Sequence, residues 1–549
     1  MKLFEHLLAG VVLCGCAARP PVSSEATSER VREARSPPYD VAAVNPAAVE
    51  SPTAAVSLAG GAGDLSAGSF AAPSDGDLLA QIHTALDLRR RKDADRFLDA
   101  RDPGELLEHA TISQAALDRG VFGLKDVFVI ADDLFDYEFR PEQGLGNGLN
   151  PSGGALAGSH PAPNLRRVQQ GEFGGPESHS CASCHSRGGT DAAGHRTQNA
   201  FFRGDGRRTS GSDERNPPHL LGLGPIAVLA REMTVELQNA RSQAVEQARA
   251  QGADVKVSLE TKGVAFGALV ARADGSVDSS GVEGVDPDLV VKPFGWKGHS
   301  ASLPEMVEES FRIHMGLLSA RAQKAVRDGK AVAAEVGDGP WYDVDRDGVN
   351  SEIDSGMITS VAVYLAQLET PVIRPPRESD LLELFAKGQR LFETTGCAAC
   401  HRPELILDDP VLEIRPLDPD LADRKPIRVD VAADGDLPKP APLQLYGKRH
   451  GVRLFSDLRR HDLGPALATP MPQGSIPPTV FLTRPLWGLA FTSPYLHDGR
   501  APTVPDAIEL HGGEAAPARD RWRSLAREDR VAIVIFLLSL DRDPELLVP

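Results

Sequence analysis

The sequence predicts a mainly α-helical chain built from two modules related by internal duplication, the first carrying long loop insertions. Three observations lead there. Strand-like alternation is scarce; a helix runs into the second of two C-x-x-C-H motifs and another closes the chain; and five short elements recur in the same order in both halves. At 549 residues with 41% hydrophobic content, the chain has material for two or three domains with a sizeable core.

Taken in order, residues 1–16 end a short apolar run in Leu13-Cys14-Gly15-Cys16, which is similar to the lipobox of bacterial lipoproteins. This segment reads as an export signal with Cys16 as the lipidated residue, and it is too short to span a bilayer. The expected location is periplasmic or anchored to the outer membrane, with lipid as the only membrane attachment. Residues 17–75 are rich in Ala, Pro, Ser, Gly and Val and read as a flexible tether.

The first module is expected over 76–370. It starts where Leu78, Ile82, Leu86 and Leu88 take helical spacing, and passes through a Gly/Pro/Asn-rich loop over 136–170 before its C-x-x-C-H. Residues 371–376 form a short linker, and the second module covers 377–549. In it, Leu381, Leu384, Phe385, Gly388, Leu391 and Phe392 predict an amphipathic helix leading into Cys397, and Val531–Leu540 predicts the closing helix.

The repeat consists of Cys181-Ala-Ser-Cys184-His185, the Arg215–Leu223 segment, Phe294-Gly-Trp-Lys-Gly298 with Leu303-Pro-Glu305, His314, and Tyr364-Leu-Ala-Gln-Leu368. Its second copy is Cys397-Ala-Ala-Cys400-His401, Arg484–Leu489, Leu496-His-Asp-Gly499 with Val504-Pro-Asp506, His511, and Phe536-Leu-Leu-Ser-Leu540. Each element is weak alone, but the shared order is specific.

Cysteine usage points to the chemistry. Of six cysteines, four form the two C-x-x-C-H motifs and two lie in the export segment, so none is left for a structural disulfide. C-x-x-C-H is the attachment signature of c-type haem: the thiols of Cys181 and Cys184, or of Cys397 and Cys400, bond the macrocycle, and His185 or His401 gives iron its proximal nitrogen. A zinc site or a redox dithiol is the rival reading, and the histidine trailing both pairs argues against it. The modules are therefore expected to be cytochrome c-like, with two covalent haems. The excess of 77 acidic over 59 basic residues, a net charge of −18, disfavours nucleic acid as a partner. It would suit a basic redox partner, although a well-solvated surface accounts for it more simply.

The sixth position of each iron decides function. At the second haem the candidate is His511, followed by Gly512-Gly513, which allow close approach. Pro494–Ala515, with its His497-Asp498-Gly499 and His511, resembles the signature of the di-haem oxidoreductases, within the superfamily of bacterial di-haem cytochrome c peroxidases and related to the rubber oxygenases. The resemblance implies that His511 is the distal ligand of the C-terminal haem, making an electron-transferring bis-histidine pair with His401. It also implies that Trp296 lies between the haems.

At the first haem the repeat places His314 about one helical turn beyond the position of His511, where the peroxidases have an acidic residue. His314 would then ligate iron or act as acid and base toward peroxide; His195, His219 and Glu232 are its rivals, Glu232-Met233 being similar to a Glu-Met pair of the peroxidases. Arg500 is a candidate partner of a haem propionate, while His497 and Asp498 are expected to fix their turn. Separately, Asp343, Asp345, Asp347 and Asp354 with Gly348 take EF-hand spacing and predict a structural calcium ion; an acidic helix-capping loop is the alternative.

These expectations describe a peroxidase-type oxidoreductase. Electrons from a small redox protein or a quinol-linked donor enter at the second haem, and hydrogen peroxide or oxygen reacts at the first. The alternatives are a pure electron carrier and an oxygenase resembling the rubber oxygenases.

Overall fold

A computed structural model describes residues 112–140, 143–145, 168–169, 172–173, 178–187, 192–194, 199–202, 213–328, 349, 352–433 and 443–542. All of these fall in one compact unit, Pro73–Pro549; a second unit, Met1–Ala72, lies outside the described residues. So do the expected signal with Cys16, the tether, the 78–88 helix, His195, Asp343, Asp345 and Asp347.

Two helix pairs organise the core, one for each C-x-x-C-H. Helix α1 (Leu124–Asp136) precedes Cys181 and packs on α4 (Ser355–Gln367); α5 (Ser379–Thr394) runs into Cys397 and packs on α7 (Arg527–Leu537). The packing is alike in detail. Tyr364 of α4 stacks on Phe128 and Phe135 of α1, with ring centroids at 4.9 and 5.6 Å. Phe536 of α7 meets Phe385 and Phe392 of α5 at 5.8 and 5.4 Å. Each helix thus offers two phenylalanines two turns apart, on one face, to a single aromatic ring.

Both halves also build the same turn. A bridge joins Phe294 to Ser300 in one half and Tyr495 to Ala501 in the other. Two residues later Ser302 caps α3 (Leu303–Ser310) and Thr503 caps α6 (Val504–Glu509), each accepting from the third backbone N–H of its helix. Such a cap contributes about 1 kcal/mol. Helix α3 passes into a π-helical turn, Phe311–Met315, which ends at Gly316 (φ 76°) and carries His314.

The expectation of a mainly α chain is corrected to a mixed one. A 29-residue helix, α2 (Leu223–Gln251), packs on an antiparallel sheet of β1 (Val255–Thr261), β2 (Val264–Ala271) and β3 (Val277–Asp278). Val255, Val257 and Leu259 alternate with Lys256, Ser258 and Glu260 there, so a period-2 signal was available over this stretch. The strands between Leu405 and Leu482 are three or four residues each, too short to carry a period. The predicted closing helix ends early, at Leu537, because Leu540–Asp541 pairs with Val372–Ile373 of the linker. No helix among the described residues is long and apolar enough to cross a membrane.

Candidate functional site: two histidine centres sharing a wall

Each C-x-x-C-H folds into one tight turn in which the histidine N–H donates to the first cysteine's carbonyl, His185 to Cys181 at 3.1 Å and His401 to Cys397 at 3.0 Å. The first turn is seated on the end of α1, whose Phe135 carbonyl accepts from both Cys181 and Ala182. The second continues α5 through Gly396. None of the four motif cysteines forms a disulfide among the described residues.

His401 and His511 face one another across a cavity of about 330 Å³ whose apolar lining includes Phe392, Leu463, Leu467, Phe481 and Ile508. Their ring centroids are 6.4 Å apart. His401 donates Nδ1–H to the Phe455 carbonyl at 3.1 Å, and His511 to the Ala507 carbonyl at 2.8 Å, leaving both Nε2 lone pairs free. Burial lowers both pKa values, that of His401 to about 4, with the facing His511 adding to the effect, so both rings are neutral as ligation requires. A metal ion bound at about 2 Å from each Nε2 would fit that separation. With paired thiols beside an apolar cavity, the residues fit a covalently held haem.

His511 follows α6, and its position depends on the glycines after it. A Cβ on Gly513 (φ 50°) would stand 2.1 Å from the Asp462 carbonyl, so only glycine lets this loop lie against the 460–464 backbone. His461 reinforces the same junction: Nε2 meets Asp457 at 2.8 Å and Nδ1 meets Glu514 at 2.7 Å. It thereby ties the segment whose carbonyl orients His401 to the segment that carries His511. Burial alone would lower the His461 pKa, but hydrogen bonds and charge from Asp457 and Cys400 carry it up to about 11. The Cys400–Asp457–His461 cluster has the spacing of a metal site. Cys400, however, belongs to the attachment pair, and both His461 nitrogens are already engaged. Residues so far apart in the chain gave no sequence signal.

At the first centre, His185 donates Nδ1–H to the Ala192 carbonyl at 3.3 Å. Burial lowers its pKa to about 4; the Ala192 and Pro218 carbonyls oppose this, and the charge of His314 adds to it. His314 is thus near enough to His185 for its charge to be felt there. The Ala192-Ala193 and Pro217-Pro218-His219 strips form a shared wall: the Ala192 and Pro218 carbonyls address His185, while Ala193, Pro217, Pro218 and His219 line the second cavity.

Trp296 also lines that cavity, held by Nε1–H donation to the Asn216 carbonyl at 2.7 Å. Its own carbonyl accepts from Leu482, and the neighbouring buried Lys297 donates to the Pro477 and Pro478 carbonyls at 2.9 and 2.6 Å. His497 and Asp498 brace their turn: His497 stacks on Phe481 at 4.7 Å and its carbonyl accepts from Asn216.

Two candidates are placed elsewhere. Arg500 directs its guanidinium to Asp498 and to the Ala466 carbonyl at 2.8 Å, and is absent from the cavity lining, because Asp498 two residues earlier captures its charge. Glu232 pairs with Lys262 at 2.8 Å and accepts the Asp408 and Asp409 backbone N–H groups, a structural role on α2. Of the acidic loop, Asp354 caps α4 through Gly356 N–H at 2.7 Å.

Residues 431–540 match the family model described as "Di-haem oxidoreductase, putative peroxidase". Among solved structures, the chain is similar to the hydrazine synthase of Kuenenia stuttgartiensis at 16% identity, covering 76% of this chain and 92% of that one with a TM-score of 0.29. It is also similar to a MauG-like protein associated with microbial copper homeostasis, at 14% identity over 49% of this chain and 78% of that one, TM-score 0.24. No curated protein matches the chain.

Proposed function

We propose that the protein is a di-haem c-type oxidoreductase with peroxidase-type activity, built from two duplicated cytochrome c-like modules. The observation that carries this is the His401–His511 pair, 6.4 Å between ring centroids with both Nδ1 atoms committed to carbonyls, beside Cys397 and Cys400. A haem held there, and another held by Cys181, Cys184 and His185, would each take up and release one electron.

The chain's own contribution is positional. Backbone carbonyls fix the orientation of each imidazole, the apolar lining keeps water from the second cavity, and Trp296 is locked between the halves. His314, on the π-helical turn near His185, would hold or deliver the protons that reduction of hydrogen peroxide to water consumes, with two electrons drawn from a small redox protein or quinol-linked donor. Export through residues 1–16, lipidation at Cys16, an extracytoplasmic location and a calcium ion at Asp343, Asp345, Asp347 and Asp354 belong to the same reading.

A second reading is favoured by one observation: the same bridged and capped turn precedes His314 in the first half and His511 in the second. If His314 takes the sixth position, the protein is a pure electron carrier.

Pyridine haemochrome analysis should find two c-type haems per chain, and any other number sinks the proposal. Electron paramagnetic resonance of the oxidised protein should then show one low-spin haem and one that responds to cyanide or peroxide. Two low-spin haems inert in both the oxidised and half-reduced states would establish the carrier and refute the peroxidase.

A further inference from the structure

Several buried or half-buried cations among the described residues have visible partners. Arg215 is paired with Asp213, Arg542 with Glu369, Arg460 with Asp286 and Lys262 with Glu232, while Lys297 is held by two carbonyls. Arg484 breaks the pattern. Its guanidinium lies in the wall of the second cavity, 5.5 Å over the Trp296 ring, and among the described residues it hydrogen-bonds only through a long contact to the Gly295 carbonyl at 3.4 Å. No carboxylate pairs with it among the described residues. Burial lowers its pKa to about 10 with no anion opposing the shift.

Beside it in the same wall stands His219, 7% exposed, with neither ring nitrogen hydrogen-bonded. Both groups line the one cavity, and after burial the Arg484 charge is the next cause lowering the His219 pKa, to about 3. A guanidinium without a counter-charge and an imidazole without a partner are both costly to bury. A ligand that enters the cavity and brings two acceptor oxygens and one negative charge would satisfy both. That description fits a carboxylate, which guanidinium binds in a fork and a neutral imidazole N–H can supplement.

We propose that Arg484 and His219 form a carboxylate-binding subsite, and that its ligand is a propionate of the haem carried by Cys397 and Cys400. This rests on the di-haem reading above. It moves the propionate contact from Arg500, which Asp498 neutralises, to an arginine that no carboxylate among the described residues neutralises. The charge has a redox consequence. With Arg484 gone, the propionate's negative charge is uncompensated and favours ferric over ferrous iron, so the potential of that haem falls.

The test uses the mature holoprotein. Midpoint potentials of both haems are read by spectroelectrochemical titration in wild type, Arg484→Leu, Arg484→Lys and His219→Leu, with haem content measured in each. The proposal expects two haems throughout, a lower potential for the bis-histidine haem in Arg484→Leu, a smaller fall in His219→Leu, and near-wild-type behaviour in Arg484→Lys. An unchanged potential in Arg484→Leu, or a shift confined to the other haem, overturns it.

If Arg484→Leu does not mature, resonance Raman decides: the propionate-bending band must differ between wild type and Arg484→Lys, and an identical band overturns the proposal. Acetate titrated into wild type separates the two sources of carboxylate. No spectral or potential change supports the haem propionate; a saturable change that Arg484→Leu abolishes assigns the subsite to a diffusible anion and refutes it. A wild-type protein without haem refutes the di-haem reading itself.

Discussion

Replacing Gly388 with alanine sets local helix preference against packing, and the structure says which wins. Gly388 sits in the middle of α5, where alanine would stabilise an isolated helix by about 1 kcal/mol. Yet a Cβ there would stand 1.9 Å from the Ala532 carbonyl oxygen and 2.5 Å from its carbon, both backbone atoms of α7 that cannot swing aside. An ordinary C···O contact is about 3.3 Å, so the two helices must part by about 1.4 Å. That separation loosens Phe536 from Phe385 and Phe392, and overpacking of this kind costs about 1–3 kcal/mol. With the propensity gain already included, we expect Gly388→Ala to be less stable by about 2 kcal/mol, read as a lower denaturant midpoint with unchanged slope. Because α5 leads directly into Cys397, the low-spin signal of the second haem should broaden or shift as well. A variant as stable as wild type, or more so, would show that the α5–α7 crossing does not hold the second centre in place.

His511→Ala should open the sixth position of the second iron, so that the reduced protein binds carbon monoxide there; failure to bind it would remove His511 from the coordination. Lys262→Met should lower stability by about 2 kcal/mol, since it strands the largely buried Glu232 without a counter-charge, and should leave the haem spectrum alone; a changed spectrum would return Glu232 to the site. His461 has a folded pKa raised above the ordinary value of about 6.5. Its contribution is therefore fully present below about pH 6.5 and lost as pH rises toward about 11. The stability difference between wild type and His461→Gln should shrink across that window, whose upper end moves down once Cys400 is a thioether. A constant or widening gap would contradict the assignment.

How much of this was legible in the sequence depended on whether the signal was local. The helix into Cys397 follows from residues close together in the chain, and spacing reads it well; His511 is singled out by the resemblance carried in Pro494–Ala515. The alternation over Val255–Thr261 was equally local and is a lesson in applying the strand period inside a chain expected to be helical. The Asp457–His461–Glu514 tie was beyond reach, because it joins segments 53 residues apart through side chains that look like surface polar residues. Arg500 and Arg484 make the sharpest contrast. Both are arginines of the second half, and what separates a neutralised charge from an available one is that Asp498 lies beside Arg500 while no acid among the described residues pairs with Arg484.

The wall that the two centres share has a consequence for how they respond to change. Ala192 and Pro218 are bound to His185 on one side, while Ala193, Pro217 and His219 shape the second cavity on the other, one or two atoms of backbone away. A displacement on either side has nowhere to dissipate before it reaches the other centre. A bulkier residue at Ala193, introduced to constrict the second cavity, would push the Ala192 carbonyl against His185 and register in the first. The two centres are therefore mechanically one object, and a perturbation of either reports on both.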